Sequence, residues 1–294
     1  MADITRRTAN GRMPSKRTPL SATLAQKKLE RGNELFSGLM AAINGDKPPG
    51  DETPVSAQDF GREDTECAVQ SPYAAILSCS DARAPTEMIF QQGFNDLFVV
   101  RVAGNVLGRE CVGSLSYAVD HFPEALKVVA VLGHVKCGAV TAAVDAYLDP
   151  GKYLDVAGNY PLRTIIDQIM VSVRTADVGL QELHGPAVVT QPEYRHALLE
   201  LGVSINAAWN AFSLREELNG HSHCDMKVVF GVYDVASHRL GMMPSTDALP
   251  LRTGFFDAPS GGKEFRDLVL ELCAAAKVSR KIRVRSAGRT AAGS

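Results

Sequence analysis

Two short clusters in this 294-residue chain carry side chains able to do chemistry. Cys79, Asp81 and Arg83 follow the apolar run Ala74 to Leu77, and His134 and Cys137 follow the β-branched-rich run Ala125 to Leu132. Thiolate and imidazole are ligands that zinc takes in tetrahedral sites. Two sulfurs and one nitrogen leave a fourth position open, as a catalytic metal requires. Asp81 is close enough in sequence to reach the same metal through oxygen and close that position. The bland alternative is a pair of inert core cysteines, since free Cys is commonly buried, with His134 as an ordinary capping residue.

The elements around these clusters alternate in type. Ala74 to Leu77 and Leu97 to Val100 read as strands, with a short helix over Pro85 to Gln92 between them, which is a βαβ pattern. In open α/β sheets the chemistry sits at the carboxyl ends of strands, where both clusters fall. A helix is expected from Cys111 to His121, and another from Gly138 to Leu148 whose first peptide N–H groups would favour a Cys137 thiolate. Residues 149–161 read as a loop. Long helices follow over Leu162 to Leu183 and Gln191 to Leu218, the second carrying Trp209 as a core residue. Residues 227–233 read as a strand, with a hairpin return over Leu240 to Met243.

At the amino-terminal side, residues 1–20 read as a mobile basic arm. A helix is expected from Thr23 to Leu39, with Leu24, Lys28, Leu35 and Leu39 on one stripe and Leu29 and Phe36 beside it. Residues 44–66 form a turn-rich linker. Gln70 lies nine residues before Cys79, too far along a straight strand to touch the same metal. His221, His223 and Cys224 bring three ligand types together, but they precede a strand and have no fourth partner, so they read as a polar turn. After Pro244 the chain turns Pro-, Gly- and Ser-rich, with Phe255-Phe256 as an anchor and a helix over Glu264 to Ala276. Residues 277–294 carry six Lys or Arg.

Composition excludes several classes. The chain is 45% hydrophobic and 22% charged with a formal net charge of −2, which is ordinary for a globular protein and gives no reason to expect nucleic-acid binding. No apolar run reaches the roughly 18 residues of a membrane span. Arg6-Arg7 is not followed by an apolar stretch, so no secretory signal is expected. Six cysteines do not make a disulfide scaffold in a chain this long, and a reducing, cytoplasmic setting suits Cys79 and Cys137 as thiolates.

Taken together, Cys79-Ser80-Asp81-Ala82-Arg83, Phe98-Val99-Val100-Arg101, His134-Val135-Lys136-Cys137-Gly138 and Gly231-Val232-Tyr233-Asp234-Val235 resemble the β-class carbonic anhydrases. Leu29-Glu30-Arg31-Gly32-Asn33-Glu34-Leu35-Phe36 is similar to that family's first helix, and the resemblance runs over residues 24–243. It implies an α/β fold: a central, mostly parallel sheet flanked by helices, with an antiparallel edge strand from residues 227–243. The implied layout is an arm over 1–22, a catalytic domain over 23–243 that includes an amino-terminal dimerisation helix, and an extension over 244–294. Cys79, His134 and Cys137 would bind one Zn2+ per subunit. Asp81 would either pair with Arg83 or bind zinc as a fourth ligand in a closed state. Gln70 would line the pocket of a partner subunit, in a homodimer or dimer of dimers. The implied activity is reversible hydration of carbon dioxide to bicarbonate and a proton, with Asp81, Arg83 and Gln70 as the catalytic side chains.

Three features depart from the family pattern. Val102 stands where many members have Asn. Ile76 stands where some have the Trp of an inhibitory bicarbonate pocket, with Arg101 and Tyr233 at the other two positions, so that pocket is not expected. The 51 residues after Met243 lie beyond the usual core. Two rival functions use the same ligands. Hydrolysis of carbonyl sulfide or carbon disulfide needs the same first ligands and differs in pocket shape. A non-catalytic regulatory domain with a closed zinc site is the other, and Arg83 argues against it, because a structural site has no use for a cation competing for its fourth ligand.

Overall fold

The computed structural model describes residues 20–44, 70–219, 226–242, 253–276 and 279. The His221, His223 and Cys224 group, the basic arm, the linker and most of the basic tail lie outside the described residues.

The sheet is built from β1 (Ala74–Ser78), β2 (Leu97–Arg101), β3 (Val128–His134), β4 (Lys227–Tyr233), β5 (Leu240–Gly241) and β6 (Phe256–Asp257). The strand order is β2-β1-β3-β4-β5, with β6 also on β4. The first four strands are parallel, while β5 and β6 run antiparallel to β4. β1 and β3 are buried along their whole length, which is why both read as continuous apolar runs without alternation. The chain leaves β1 first for β2 on one side and then for β3 on the other. β1 and β3 therefore flank the point where strand order reverses, and a crevice opens there at their carboxyl ends.

Helices α1 (Ala22–Asn44), α2 (Thr86–Ile89), α3 (Arg109–His121), α4 (Gly138–Leu148), α5 (Pro150–Ala157), α6 (Tyr160–His184), α7 (Tyr194–Leu218) and α8 (Gly262–Ala275) cover the two faces. Ala75, Leu77, Val129 and Val131 point into a large core with residues of α3, α4, α6, α7 and α8. Ala74, Ile76, Val128 and Ala130 point into a smaller one with α1 and α2.

Two expectations are corrected. Residues 150–157 form helix α5 instead of loop: Asp149 accepts from the Gly151 N–H as its N-cap and Pro150 occupies the first turn, where its missing N–H costs nothing. The buried face of α1 is not the stripe of Leu24, Lys28, Leu35 and Leu39. Ala25, Leu29 and Phe36 are buried, whereas Leu24 and Leu35 are 55% and 52% exposed. Gly32 decides the rotation, because a Cβ there would fall 1.7 Å from the Phe90 carbonyl oxygen. β3 also extends further than the apolar run, so that His134 is its last residue and pairs with Tyr233.

The chain beyond β5 packs onto the body. β6 pairs with β4 at Val229 and Phe230, below the stretch paired with β5. On α8, Phe265 joins a ring cluster with Trp209 and Phe212 of α7, and Trp209 is half-buried, packed against the core instead of inside it.

Candidate metal centre

Cys79 directly follows β1, His134 ends β3, and Cys137 is the N-cap of α4. Adjacent parallel strands thus bring residues 58 apart in sequence to a sulfur–sulfur distance of 4.0 Å. The ligand atoms of Cys79, His134 and Cys137 all lie within 4.8 Å of one another, and all three residues are buried. Two sulfurs at about 2.3 Å from one tetrahedral zinc would sit about 3.8 Å apart, close to what is seen. The His134 Nδ1 faces the Val135 carbonyl at 3.0 Å, which fixes the proton there and leaves Nε2 with its lone pair free. That Nε2 is buried and has no hydrogen-bond partner, a costly state for a ring nitrogen unless a cation takes it. The donor set and the orphaned nitrogen both fit one zinc ion.

The two sulfurs are not equivalent. The two thiols lie within hydrogen-bonding reach and share a proton, which lowers the pKa of Cys79 against the opposing effect of burial, with the Asp81 and Gly104 N–H groups adding to the lowering. The same contact, together with burial, pushes Cys137 up. A cation held by both sulfurs displaces the shared proton.

Asp81 and Arg83 form a clasp beside the ligands. Arg83 Nε and its backbone N–H donate to Asp81 Oδ1, each at 2.9 Å, and Arg83 Nη2 donates to Oδ2 at 2.7 Å. Hydrogen bonding from Arg83 holds the Asp81 carboxyl well below the usual carboxylate range. Asp81 Oδ2 nevertheless lies 3.8 Å from His134 Nε2, so the carboxylate borders the metal position while being held by the guanidinium. Arg83 Nη2 also reaches the Lys136 carbonyl at 3.3 Å and so ties the first loop to the second. Lys136 sits in the left-handed region at φ 57°, which makes the turn from His134 to Cys137 short.

Gln70 is not brought to this site. It is exposed and precedes the amino end of β1, at the sheet edge opposite the ligands. The residues matched to an inhibitory pocket are otherwise engaged: Ile76 is buried in the smaller core and the Tyr233 hydroxyl bonds His238 at 2.7 Å. Arg101 has a local task that sequence reasoning missed. Its Nε donates to the Cys79 carbonyl at 3.0 Å and its Nη2 to the Asp81 carbonyl at 2.6 Å, which fixes the loop carrying both. Gly104 was missed as well; its N–H points at the Cys79 sulfur at 3.3 Å. The Gly-Asn pair just after Arg101 was the available signal for such a left-handed turn.

A cavity of about 360 Å³ is lined by Cys137, Lys136, Val140, His196, Leu199 and Glu200, among others. Cys79, Asp81 and Arg83 do not line it, so it lies behind the second loop and not over the clasp.

A family model described as carbonic anhydrase matches residues 74–237, more than half of the chain. The chain belongs to the β-class carbonic anhydrase family. Carbonic anhydrase 2 of Mycobacterium tuberculosis is 41% identical over 109 residues, 36% of this chain and 48% of that protein. A carbonic anhydrase of Mycolicibacterium smegmatis is 38% identical over 119 residues, 40% of this chain and 53% of that protein. The chain thus spans about half the length of these relatives. A solved Coccomyxa β-carbonic anhydrase in complex with acetazolamide is 20% identical with a TM-score of 0.44, covering 72% of this chain and 83% of that one. Within the family's matched segment lie all three ligands, Asp81, Arg83, Arg101 and Gly104.

Proposed function

We propose that this chain catalyses the reversible hydration of carbon dioxide to bicarbonate and a proton. The observation that carries this reading is the placement of Asp81, which borders the metal position while both its oxygens are taken by Arg83. Cys79, His134 and Cys137 would hold one zinc ion, which when bound supplies a Lewis acid able to bring the pKa of water from about 15.7 toward 7. Asp81, kept ionised by Arg83, accepts a hydrogen bond from the attacking water and turns an oxygen lone pair toward the substrate carbon. Arg83 also keeps the carboxylate from taking the fourth metal position itself, as it would in a closed state. We assign Gln70 to the site of a partner subunit, where its amide would polarise a carbon dioxide oxygen; its distance from the ligands of its own chain supports that assignment.

The same reading makes the protein a homodimer or dimer of dimers. Leu24 and Leu35 on α1 are more than half exposed, and an amphipathic helix of this kind gains most of its stability from covering an apolar surface. Residues 23–243 would be the catalytic unit and 244–294 an extension of it. No helix among the described residues is long and apolar enough to cross a membrane. The four cysteines among them are free thiols, which supports a cytoplasmic setting. Light scattering at micromolar concentration should give an even multiple of the chain mass, and a fully active single chain would contradict the assembly.

The decisive experiment is stopped-flow carbon dioxide hydration on wild type and Arg83→Ala, with zinc measured in the same samples. Arg83→Ala is expected to keep zinc and lose at least about 100-fold in rate, a transition-state cost of about 2.7 kcal/mol. Equal rates with equal zinc would refute the clasp. A zinc-loaded wild type that turns over carbonyl sulfide or carbon disulfide but never carbon dioxide would replace the substrate.

A further inference from the structure

Two buried amides stand on the largely apolar inner face of α7. Asn206 is 1% exposed and Asn210 5%, among Ile205, Ala207 and Ala211. Asn206 Nδ2 donates to the Gly104 carbonyl at 2.8 Å. Asn210 Nδ2 donates to the Asn105 carbonyl at 3.2 Å and lies 3.3 Å from Asn206 Oδ1, which fixes which way the Asn206 amide faces. On the other side of the same peptide turn, the Gly104 N–H meets the Cys79 sulfur. A continuous path of hydrogen bonds therefore runs from α7, through one glycine, to a candidate metal ligand.

The turn carries one internal hydrogen bond, from the Asn105 N–H to the Val102 carbonyl at 2.9 Å, and its backbone is otherwise strained. Gly104 and Asn105 are both left-handed, at φ 67° and 46°, a conformation that Gly adopts freely and Asn only at some cost. Asn105 does not offset that cost with its own side-chain donor, because its Nδ2 is buried without a hydrogen-bond partner. A side chain at Gly104 would be strained by the positive φ and would displace Ile169, since a Cβ there would lie 2.5 Å from Ile169 Cδ1 and 3.1 Å from Ala139 Cβ. The external support is the pair of amides on α7.

We infer that Asn206 is a positioning residue for the metal centre: by holding the Gly104 carbonyl it keeps the Gly104 N–H on the Cys79 sulfur. The inference rests on the metal-centre reading above and deepens it. Two thiolates donate more charge to a cation than neutral ligands do, and so weaken its Lewis acidity. A peptide N–H aimed at one sulfur withdraws part of that charge, as hydrogen bonds to ligand sulfurs do in other metal sites. Asn206 touches no ligand; it acts through one residue, Gly104, whose C=O it holds and whose N–H, in the preceding peptide group, meets the sulfur.

The test uses the full-length protein loaded with Co2+, as wild type, Asn206→Leu and Asn210→Ala. The sulfur-to-cobalt charge-transfer band, the cobalt dissociation constant by chelator competition, and thermal unfolding are read in the same samples. Asn206→Leu should move the band to longer wavelength and weaken binding by about 10- to 100-fold. Asn210→Ala should shift both in the same direction by less, since it only orients Asn206. A folded Asn206→Leu protein with the wild-type band and affinity, whatever its melting temperature, overturns the inference and leaves Asn206 a core residue. If that variant does not fold, Asn210→Ala decides by the same two readings. A wild type that binds neither cobalt nor zinc overturns the underlying metal-centre reading, an outcome distinct from variants that match a metal-binding wild type.

Discussion

The two loops that meet at the metal position are held in different ways. The first, from Cys79 to Arg83, is fixed by guanidinium groups: Arg101 on the Cys79 and Asp81 carbonyls, and Arg83 on the Asp81 carboxylate. The second, from His134 to Cys137, is fixed by backbone. Val135 N–H donates to the Tyr233 carbonyl at 3.0 Å, and the Cys137 carbonyl accepts from the N–H and hydroxyl of Thr141, each at 3.0 Å. Strand pairing and a helix start define a position that changes little, whereas long charged side chains on a strand-end loop can exchange partners. The second loop is therefore the more rigid part of the metal position, while the first adds the Cys79 sulfur and the exchangeable Asp81–Arg83 pair beside it.

The largest expected effect breaks the second loop. Cys137→Ser removes a sulfur from the backbone-fixed half and should lose most of the zinc, measured by elemental analysis against about one ion per subunit in wild type. Full occupancy in that variant would mean the two loops do not divide the work as described, because Arg83→Ala is expected to spare the metal.

A smaller effect tests how far the rigidity of the second loop extends. α4 begins at Gly138, capped by Cys137, and its last turn carries Tyr147, whose hydroxyl donates to Asp177 Oδ2 at 2.6 Å. Gln181 Nε2 donates to Oδ1 of the same buried carboxylate at 2.6 Å, and the Tyr194 hydroxyl donates there too. Burial opposes ionisation of Asp177, but the Tyr147, Tyr194 and Gln181 donors outweigh it and the pKa is lowered. A depressed carboxyl stabilises the fold fully above its unfolded value of about 3.9 and loses that contribution as pH falls below it. Asp177→Asn should cost about 2 kcal/mol near neutrality, as loss of an ionised acceptor does. The gap in melting temperature from wild type should narrow below pH 4, and a gap that is unchanged between pH 7 and pH 3 would remove the carboxylate from the account.

The smallest effect sharpens the same comparison. Lys136 holds a left-handed turn without being glycine, and its carbonyl, not its side chain, meets Arg83. Lys136→Gly relieves that strain but adds freedom to the unfolded chain, so stability should change by no more than about 1 kcal/mol, with zinc retained. Loss of zinc would show that the Lys136 side chain supports the site.

The ligands were legible in the sequence because each lies beside a strand end and the two strands are neighbours. Their companions were partly so. Asp81 and Arg83 are two residues apart and announce each other, while Asn206 and Gly104 are separated by 102 positions and make no local pattern. The stripe assigned to α1 failed for a related reason. Gly32 lets the helix backbone approach Phe90, and that contact, which large apolar residues do not announce, sets which side faces inward. Helix α5 was missed through neglect of a readable cue, the Asp149-Pro150 pair.

The pairing of β6 onto β4 also bears on how copies of this sheet can join. A sheet grows by adding strands where backbone donors and acceptors are unpaired. One margin is occupied along most of its length by β5 and β6, each only two residues long. At the other margin, among the described residues, β2 is paired on a single side, with β1. Among the described residues, templated strand addition, as in aggregation or domain exchange, would therefore find its open margin at Leu97–Arg101, and its front would advance next to the loop that Arg101 restrains.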